Sequence, residues 1–259
     1  MWNRVGTAAL FSGSDARRRL ESYPSFTSGS GRIDQLLGGG IKAGRLIMVF
    51  GKSNSGKSQL AMQAALCAAK AGARSLYIDT EGAFRPERVE EMARERGWNA
   101  RLLLESIVYL RCNSAAEQAD AVRRMSARTE TSSCRLVLID TLTRNFSLDL
   151  PGSENMPDRQ GALDVHLSEM ARDAFLNCRA YVLTNRVTFD RTGADVGIGG
   201  STVEQLVHGS LHTQREGAMV RVSDTGGRGS CLVAIDKSGI GASEGAATGL
   251  GGRGAPASG

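Results

Sequence analysis

The stretch "GKSNSGKSQL", residues 51–60, follows the apolar run "RLIMVF" (45–50) and leads into "AMQAALCAAKAG" (61–72). Gly51, Gly56, Lys57 and Ser58 satisfy G-x-x-x-x-G-K-[ST] in the strand, loop, helix context that gives the pattern chemical meaning. Small residues let the backbone N–H groups of Gly51, Lys52, Ser53, Asn54, Ser55, Gly56, Lys57 and Ser58 wrap a chain of phosphates. The helix start adds its positive end, Lys57 a point charge, and Ser58 a hydroxyl suited to Mg²⁺. A glycine-rich turn with no ligand is the alternative, and the flanking strand and helix weigh against it.

Outward from this loop, apolar strands alternate with amphipathic helices in the βαβ rhythm of a mostly parallel sheet. Strands are expected at "RLIMVF", "RSLYID" (74–79), "SIVYLR" (106–111), "CRLVLID" (134–140) and "AYVLTN" (180–185). The helix after the loop stops at Gly72, where a missing Cβ permits a left-handed cap. Pro86 suits the first turn of the helix in "RPERVEEMARERG" (85–97), because it has no N–H to leave unsatisfied. Ser114 and Glu117 have capping-box spacing and open a helix read through residue 130. A further helix spans "ALDVHLSEMARDAFLNC" (162–178). After Gly200 the short runs "LHTQRE", "AMVRVSD" and "SCLVAID" read as a small antiparallel extension. The fold class is therefore α/β, a mostly parallel sheet flanked by helices.

Three strand ends converge on the phosphate loop. Asp140 closes a strand continuous in apolar residues, where an acidic group faces the same crevice and commonly serves Mg²⁺; a turn or capping role is the alternative. Glu81 lies just beyond the second strand in "YIDTEG" and is a candidate base for an attacking water. Asp79, two residues earlier and on the same side of the strand, is its rival.

The chain has 259 residues, 41% of them hydrophobic, which suits one α/β core with small appendages. Residues 1–27 read as an N-terminal arm, 28–240 as the core, and 241–259 as a disordered Gly/Ala-rich tail, too poor in large apolar residues to offset the entropy of ordering. With no run of about 18 apolar residues and no signal-type segment, a cytoplasmic protein with no membrane partner is expected. Five cysteines stand singly at 67, 112, 134, 178 and 231, without a C-x-x-C pair, and read as reduced thiols. The net charge is +5; five of the 32 basic residues are lysine and the other 27 arginine, which leans slightly toward phosphate contacts.

The string "GRIDQLLGGGIKAGRLIMVFGKSNSGKSQL" (31–60) resembles the entry of the RecA-like recombinase core in its archaeal and eukaryotic branch, and "LYIDTEGAFRPERV" (76–89) is close to a signature of that branch. "RCNSAAEQ", "VLIDTLTRNF", "DRQ" and "VLTNRV" recur in the family's order, over roughly residues 28–240. Within the branch, the short arm, the lack of a separate N-terminal DNA-binding domain and "GGSTVEQLV" (199–207) look most like RadB, the archaeal recombinase paralogue. The resemblance implies a RecA-like P-loop NTPase core binding ATP and Mg²⁺ through residues 51–58. Glu81 takes the catalytic position, Asp140 with Ser58 the metal position, and Arg88 the place that packs against adenine. It also implies DNA contact from two loops, within "NFSLDLPGSENMPDRQ" (145–160) and "RVTFDRTGADVGIGG" (186–200). Arg144, Arg159, Arg186 and Arg191 are the candidates to meet phosphates; alone, such scattered arginines are usually solvated surface.

The departures matter equally. The family's "TNQV" reads "TNRV" here, placing Arg186 where an amide links the γ-phosphate region to the second DNA loop, and a long cation cannot position a water as an amide does. A phosphate clamp is the other reading of Arg186. No Phe-x-x-Ala docking motif is evident, since "FSGS" and "FTSG" have no alanine in the fourth position, and His208 falls at a different spacing from the family's histidine. These features together lead to an expected DNA repair and recombination accessory protein. It would bind ATP and DNA, modulate the main recombinase of the same cell, turn ATP over weakly with little stimulation by DNA and perform little strand exchange of its own, with a second copy of the chain, in a homo-oligomer, as a further candidate partner. The rivals are a self-sufficient strand-exchange ATPase and a KaiC-like regulatory ATPase that does not bind DNA.

Overall fold

The computed structural model of the chain describes residues 12–189 and 192–241. Helix α1 (Gly13–Glu21) is opened by the Ser12 hydroxyl, which accepts the Asp15 N–H. Strands β1 (Ser25–Phe26) and β2 (Ile41–Lys42) pair antiparallel around α2 (Gly31–Leu36). Tyr23 and Phe26 are buried, and Arg19 and the Tyr23 hydroxyl donate to the carbonyls of Leu176 and Phe175. Residues 13–26, part of the stretch expected as an arm, thus carry regular structure packed on the core. Two aromatic residues supply the anchor that a periodicity reading overlooks.

The central motif follows: β3 (Leu46–Gly51), α3 (Lys57–Lys70), β4 (Arg74–Asp79), α4 (Pro86–Glu95), α5 (Ala100–Leu104) and β5 (Ile107–Arg111). Then come α6 (Ala115–Arg123), a 3₁₀ turn at Met125–Ala127, α7 (Thr129–Ser132) and β6 (Cys134–Asp140). The helix read through residue 130 ends at Arg123. The Thr131 hydroxyl donates to the Met125 carbonyl across the break, and Met125 is driven fully into the core there. Gly72 and Gly97 adopt positive φ just after α3 and α4, as their positions demand.

Helix α8 (Arg144–Asp149) and α9 (Met156–Asn177) precede β7 (Ala180–Asn185). Most of the stretch 145–160, read as a loop, is therefore helical; only residues 150–155 connect α8 to α9. The stretch 186–200 is likewise not a plain loop. It contains an antiparallel hairpin, β8 (Val187–Phe189) with β9 (Asp195–Gly197), in which Phe189 pairs with Asp195. Helix α10 (Gly200–Leu206), β10 (Gly209–Glu216), β11 (Met219–Asp224), β12 (Gly229–Asp236) and β13 (Gly239–Ile240) complete the described chain.

The main sheet runs β13-β12-β11-β10-β3-β7-β6-β4-β5. From β10 to β5 every pairing is parallel, and β11, β12 and β13 form the antiparallel extension. Strand β10, read as part of that extension, instead lies parallel to β3 and extends the main layer. Alternation along β3 divides the interior. Ile47 and Val49 face α3 and α4, whereas Leu46, Met48 and Phe50 face α6, α9 and α10. Helix α3 is buried at every position from Leu60 to Ala69, which explains its alanine-rich sequence. Among the described residues no helix is long and apolar enough to cross a membrane.

Candidate nucleotide site

The phosphate loop leaves the end of β3 between two parallel neighbours, β10 and β7. Glycine at 51 is compulsory: a Cβ there would lie 2.2 Å from the Thr213 carbonyl oxygen of β10. Gly56 caps α3 with a φ of 92°, and Asn54 also holds a positive φ, of 61°. The Ser55 and Thr213 hydroxyls lie 2.7 Å apart and tie the loop to β10. Lys57 Nζ donates to the carbonyls of Gly51 (2.8 Å) and Lys52 (2.7 Å), so its charge is stored on the loop's own backbone. Burial lowers the Lys57 pKa below the ordinary lysine value; Asp140 and Glu81 oppose the shift, and Arg186 adds to it.

Beside the loop opens a cavity of about 620 Å³, lined by residues 54–59 with Arg88, Arg215, Ile235, Asp236 and Lys237. Its size falls within the roughly 300–1,000 Å³ of small-ligand sites. Arg88 has its edge committed: Nε donates to Gln59 (2.8 Å), Nη1 to Glu91 and the Lys237 carbonyl, and Nη2 to the Asp236 carbonyl. The guanidinium is thereby a fixed plane in the cavity wall, which leaves its face for a flat ring. Arg215 and Lys237 are cations of this cavity that sequence reasoning missed, because β10 and the β12–β13 turn lie far from the motif in sequence.

Asp140 and Asp79 sit side by side at the ends of β6 and β4, and both are buried. Asp140 accepts from the Tyr77 hydroxyl (2.7 Å) and from the Thr184 hydroxyl, one donor on each neighbouring strand. Those donors fix the carboxylate at the end of β6, where its charge acts on Lys57. Asp79 serves its own chain. It accepts the N–H groups of Glu81 (3.0 Å), Gly82 (2.7 Å), Ala83 (3.1 Å) and Phe84 (3.1 Å), the Tyr109 hydroxyl, and Arg111 at 3.2 Å. Its oxygens are fully engaged in shaping the turn that presents Glu81.

Glu81 faces Arg186. Arg186 Nη2 stands 2.8 Å from Glu81 Oε1, a buried oxygen that has no aligned hydrogen-bond donor, so the contact is one of charge. Arg144 lines the same small cavity as Glu81 and Arg186, and its Nε is buried without a hydrogen-bond partner among the described residues. Arg159 lines a neighbouring cavity that shares Thr143, Ser147 and Ile198 with this one, and its Nη1 donates to the carbonyls of Leu150 (2.7 Å) and Gly152 (3.3 Å). Arg191 lies outside the described residues, as do residues 1–11 and 242–259. Of the three described arginines, two gather at Glu81 and one holds the α8–α9 connection.

A parallel sheet with a phosphate loop on a central strand and acidic groups ending two paired strands beyond its neighbour β7 defines a RecA-like nucleotide-binding domain. The chain belongs to the Rad51 family, whose model matches residues 19–239. It is 34% identical over 179 residues to a DNA repair and recombination protein RadA of Aeropyrum pernix, covering 67% of this chain and 56% of that protein. It is 31% identical over 221 residues to a RadA of Ignicoccus hospitalis, covering 81% and 66%. The meiotic recombination protein DLH1 of Candida albicans is 33% identical over 216 residues, covering 80% and 65%. The chain thus spans between about half and two thirds of the length of these relatives.

Proposed function

We propose that this chain is an ATP-binding accessory protein of DNA repair and homologous recombination, with weak ATPase activity that DNA stimulates poorly. The ion pair between Arg186 and Glu81 carries this reading. A glutamate acting as general base needs its lone pairs directed at a water, and a guanidinium 2.8 Å away holds that charge instead. The family resemblance and the RadA and DLH1 relatives support a recombination role.

The residues fit ATP and Mg²⁺: a cradle that admits no Cβ at 51, a cavity of sufficient size, and, acting on Lys57 by its charge, an acid held by two hydroxyls. Ser58 and Asp140 would hold the metal, whose chemistry is neutralisation of charge on phosphate oxygens. Lys57 exchanges the Gly51 and Lys52 carbonyls for phosphate oxygens. Arg88 offers its plane to adenine, and Glu81, once released by Arg186, takes a proton from the attacking water. DNA, the main recombinase of the same cell and a second copy of this chain are the proposed partners, in the cytoplasm. Within the family we read the chain as the paralogue RadB, on its resemblance through "GGSTVEQLV".

The reading in which DNA is not bound draws on one observation, the commitment of Arg159 to backbone carbonyls. One experiment separates the readings: the steady-state ATPase rate with and without single-stranded DNA, beside a gel-shift at two salt concentrations. Salt-sensitive binding with slow, unstimulated turnover is the expected result, because phosphate contacts release counterions. Absence of binding at low salt would favour the regulatory ATPase, and strong stimulation the self-sufficient recombinase.

A further inference from the structure

Lys52, the second residue of the phosphate loop, has two attachments that point in opposite directions. Its carbonyl accepts from Lys57 Nζ at 2.7 Å, inside the loop. Its side chain leaves the loop and reaches the β8–β9 hairpin. There Nζ lies 3.6 Å from Asp195 Oδ1 and 5.5 Å from the centroid of the Phe189 ring. Phe189 and Asp195 are register partners, so one ammonium group straddles one rung of the hairpin.

The acid in this contact has a second partner in waiting. His212, on β10 and stacked on Phe50 with ring centroids 5.0 Å apart, places Nε2 3.5 Å from Asp195 Oδ2. That Nε2 is buried and makes no hydrogen bond. Asp195 is 13% exposed, whereas Lys52 is 61% exposed and His212 22%, so the lysine is the partner more open to solvent and more easily drawn away. It sits between a lysine on the phosphate loop and a histidine on β10.

We infer that Lys52 is a positioning residue that reports nucleotide occupancy of the phosphate loop to the β8–β9 hairpin through Asp195 and Phe189. An arriving triphosphate draws Lys57 away from the Gly51 and Lys52 carbonyls and attracts the Lys52 ammonium itself. Either movement loosens the rung at Phe189–Asp195 and leaves Asp195 to His212. The hairpin begins at Val187, directly after Arg186, so it is tied to the nucleotide site twice, at its root by Glu81 and near its tip by Lys52. The consequence for DNA rests on the reading that this hairpin faces DNA; the movement of the hairpin does not.

The test uses Phe189→Trp in the full chain, with the unchanged chain as the blank for Trp2 and Trp98. Emission is followed on addition of Mg²⁺ with a non-hydrolysable ATP analogue, in this background and with Asp195→Asn or Asp195→Glu added. DNA affinity is measured for the same set with and without the analogue. A nucleotide-dependent emission change that Asp195→Asn abolishes and Asp195→Glu retains is the expected result. It should be accompanied by a nucleotide effect on DNA affinity of about tenfold that falls below about twofold in Asp195→Asn. Emission that ignores the analogue, or responds equally in Asp195→Asn, overturns the inference whatever DNA does. An emission change lost in Asp195→Asn with no DNA binding in any state sustains the relay and removes the DNA reading instead.

Discussion

Arg186 Nη2 and Glu81 Oε1 are 2.8 Å apart, so the residue that departs from the family's "TNQV" pattern holds the acid that follows the second strand. Arg186 is about half exposed and Glu81 about one fifth. A guanidinium this close occupies the carboxylate oxygen that an attacking water would have to reach. Arg186→Gln removes the cation and restores an amide. Its DNA-stimulated ATPase rate should rise about tenfold over the parent, corresponding to roughly 1.4 kcal/mol of barrier. Steady-state phosphate release with and without single-stranded DNA measures this; an unchanged rate would place the limit in the hairpin or in subunit contacts.

Glu81 and Asp79 make opposite predictions. Asp79 organises four consecutive N–H groups and Arg111, whereas the Glu81 carboxylate projects into a cavity. Hydrogen bonds to a charged group contribute about 1.5–3 kcal/mol each, with strong overlap when they share one acceptor. Asp79→Asn should therefore lower unfolding free energy by about 2–4 kcal/mol and depress turnover along with it. Glu81→Gln should leave denaturant unfolding within about 0.5 kcal/mol of the parent while removing most turnover. The two variants reversed would exchange the roles.

The contrast shows what the sequence could convey. The order of the core parallel strands from β3 to β7, and the placing of the loop motif and of Asp79 and Asp140 at strand ends, were legible, because periodicity and motif spacing are local. The choice between Asp79 and Glu81 was not, since both precede the same turn and only the N–H groups folded over Asp79 separate them. Asp195 was read only as part of a loop, and His212 stood outside any motif. Their meeting with Lys52 depends on β10 lying parallel to β3, a pairing of residues more than 150 positions apart. The hairpin at 187–197 was hidden for another reason: three-residue strands flanked by glycine and aspartate have the composition of a loop.

Gly51 tests the cradle directly. The Cβ introduced by Gly51→Ala would meet the Thr213 carbonyl at 2.2 Å and the Ser55 hydroxyl at 2.7 Å. Backbone on one side and a short side chain on the other leave no flexible group to yield. The variant should lose about 1–3 kcal/mol of stability and bind nucleotide at least tenfold more weakly. Equilibrium denaturation and titration with a fluorescent ATP analogue measure the two effects.

Lys57 and the supports of Asp140 separate phosphate from metal. Lys57→Ala should weaken ATP binding about 100-fold with or without Mg²⁺, because the lost charge serves the phosphates. Thr184→Val removes one of the two hydroxyls on Asp140 and should reduce only the Mg²⁺-dependent part of the affinity, by about tenfold. Calorimetric titration with and without the metal distinguishes them. Equal losses in both conditions for Thr184→Val would detach Asp140 from the metal.

His166 gives the fold a defined sensitivity to acid. It is buried against Phe146, with Nε2 3.3 Å from the Gln118 amide nitrogen and Nδ1 without a hydrogen bond. Burial, helped by the charge of Arg123, lowers its pKa to about 4 from the usual 6.5. The unfolded chain therefore binds a proton first as pH falls, so stability is complete above about pH 6.5 and declines toward pH 4. Each pH unit crossed between those two values costs about 1.4 kcal/mol, so the decline attributable to this ring is about 2–3 kcal/mol by pH 4.5. His166→Gln has no such proton to take up. Its unfolding free energy should be lower than the parent's at pH 7.5, and the gap should close by that amount at pH 4.5. Parallel curves for the two proteins would mean that the acid sensitivity comes from carboxylates elsewhere and that His166 is not held neutral by its burial.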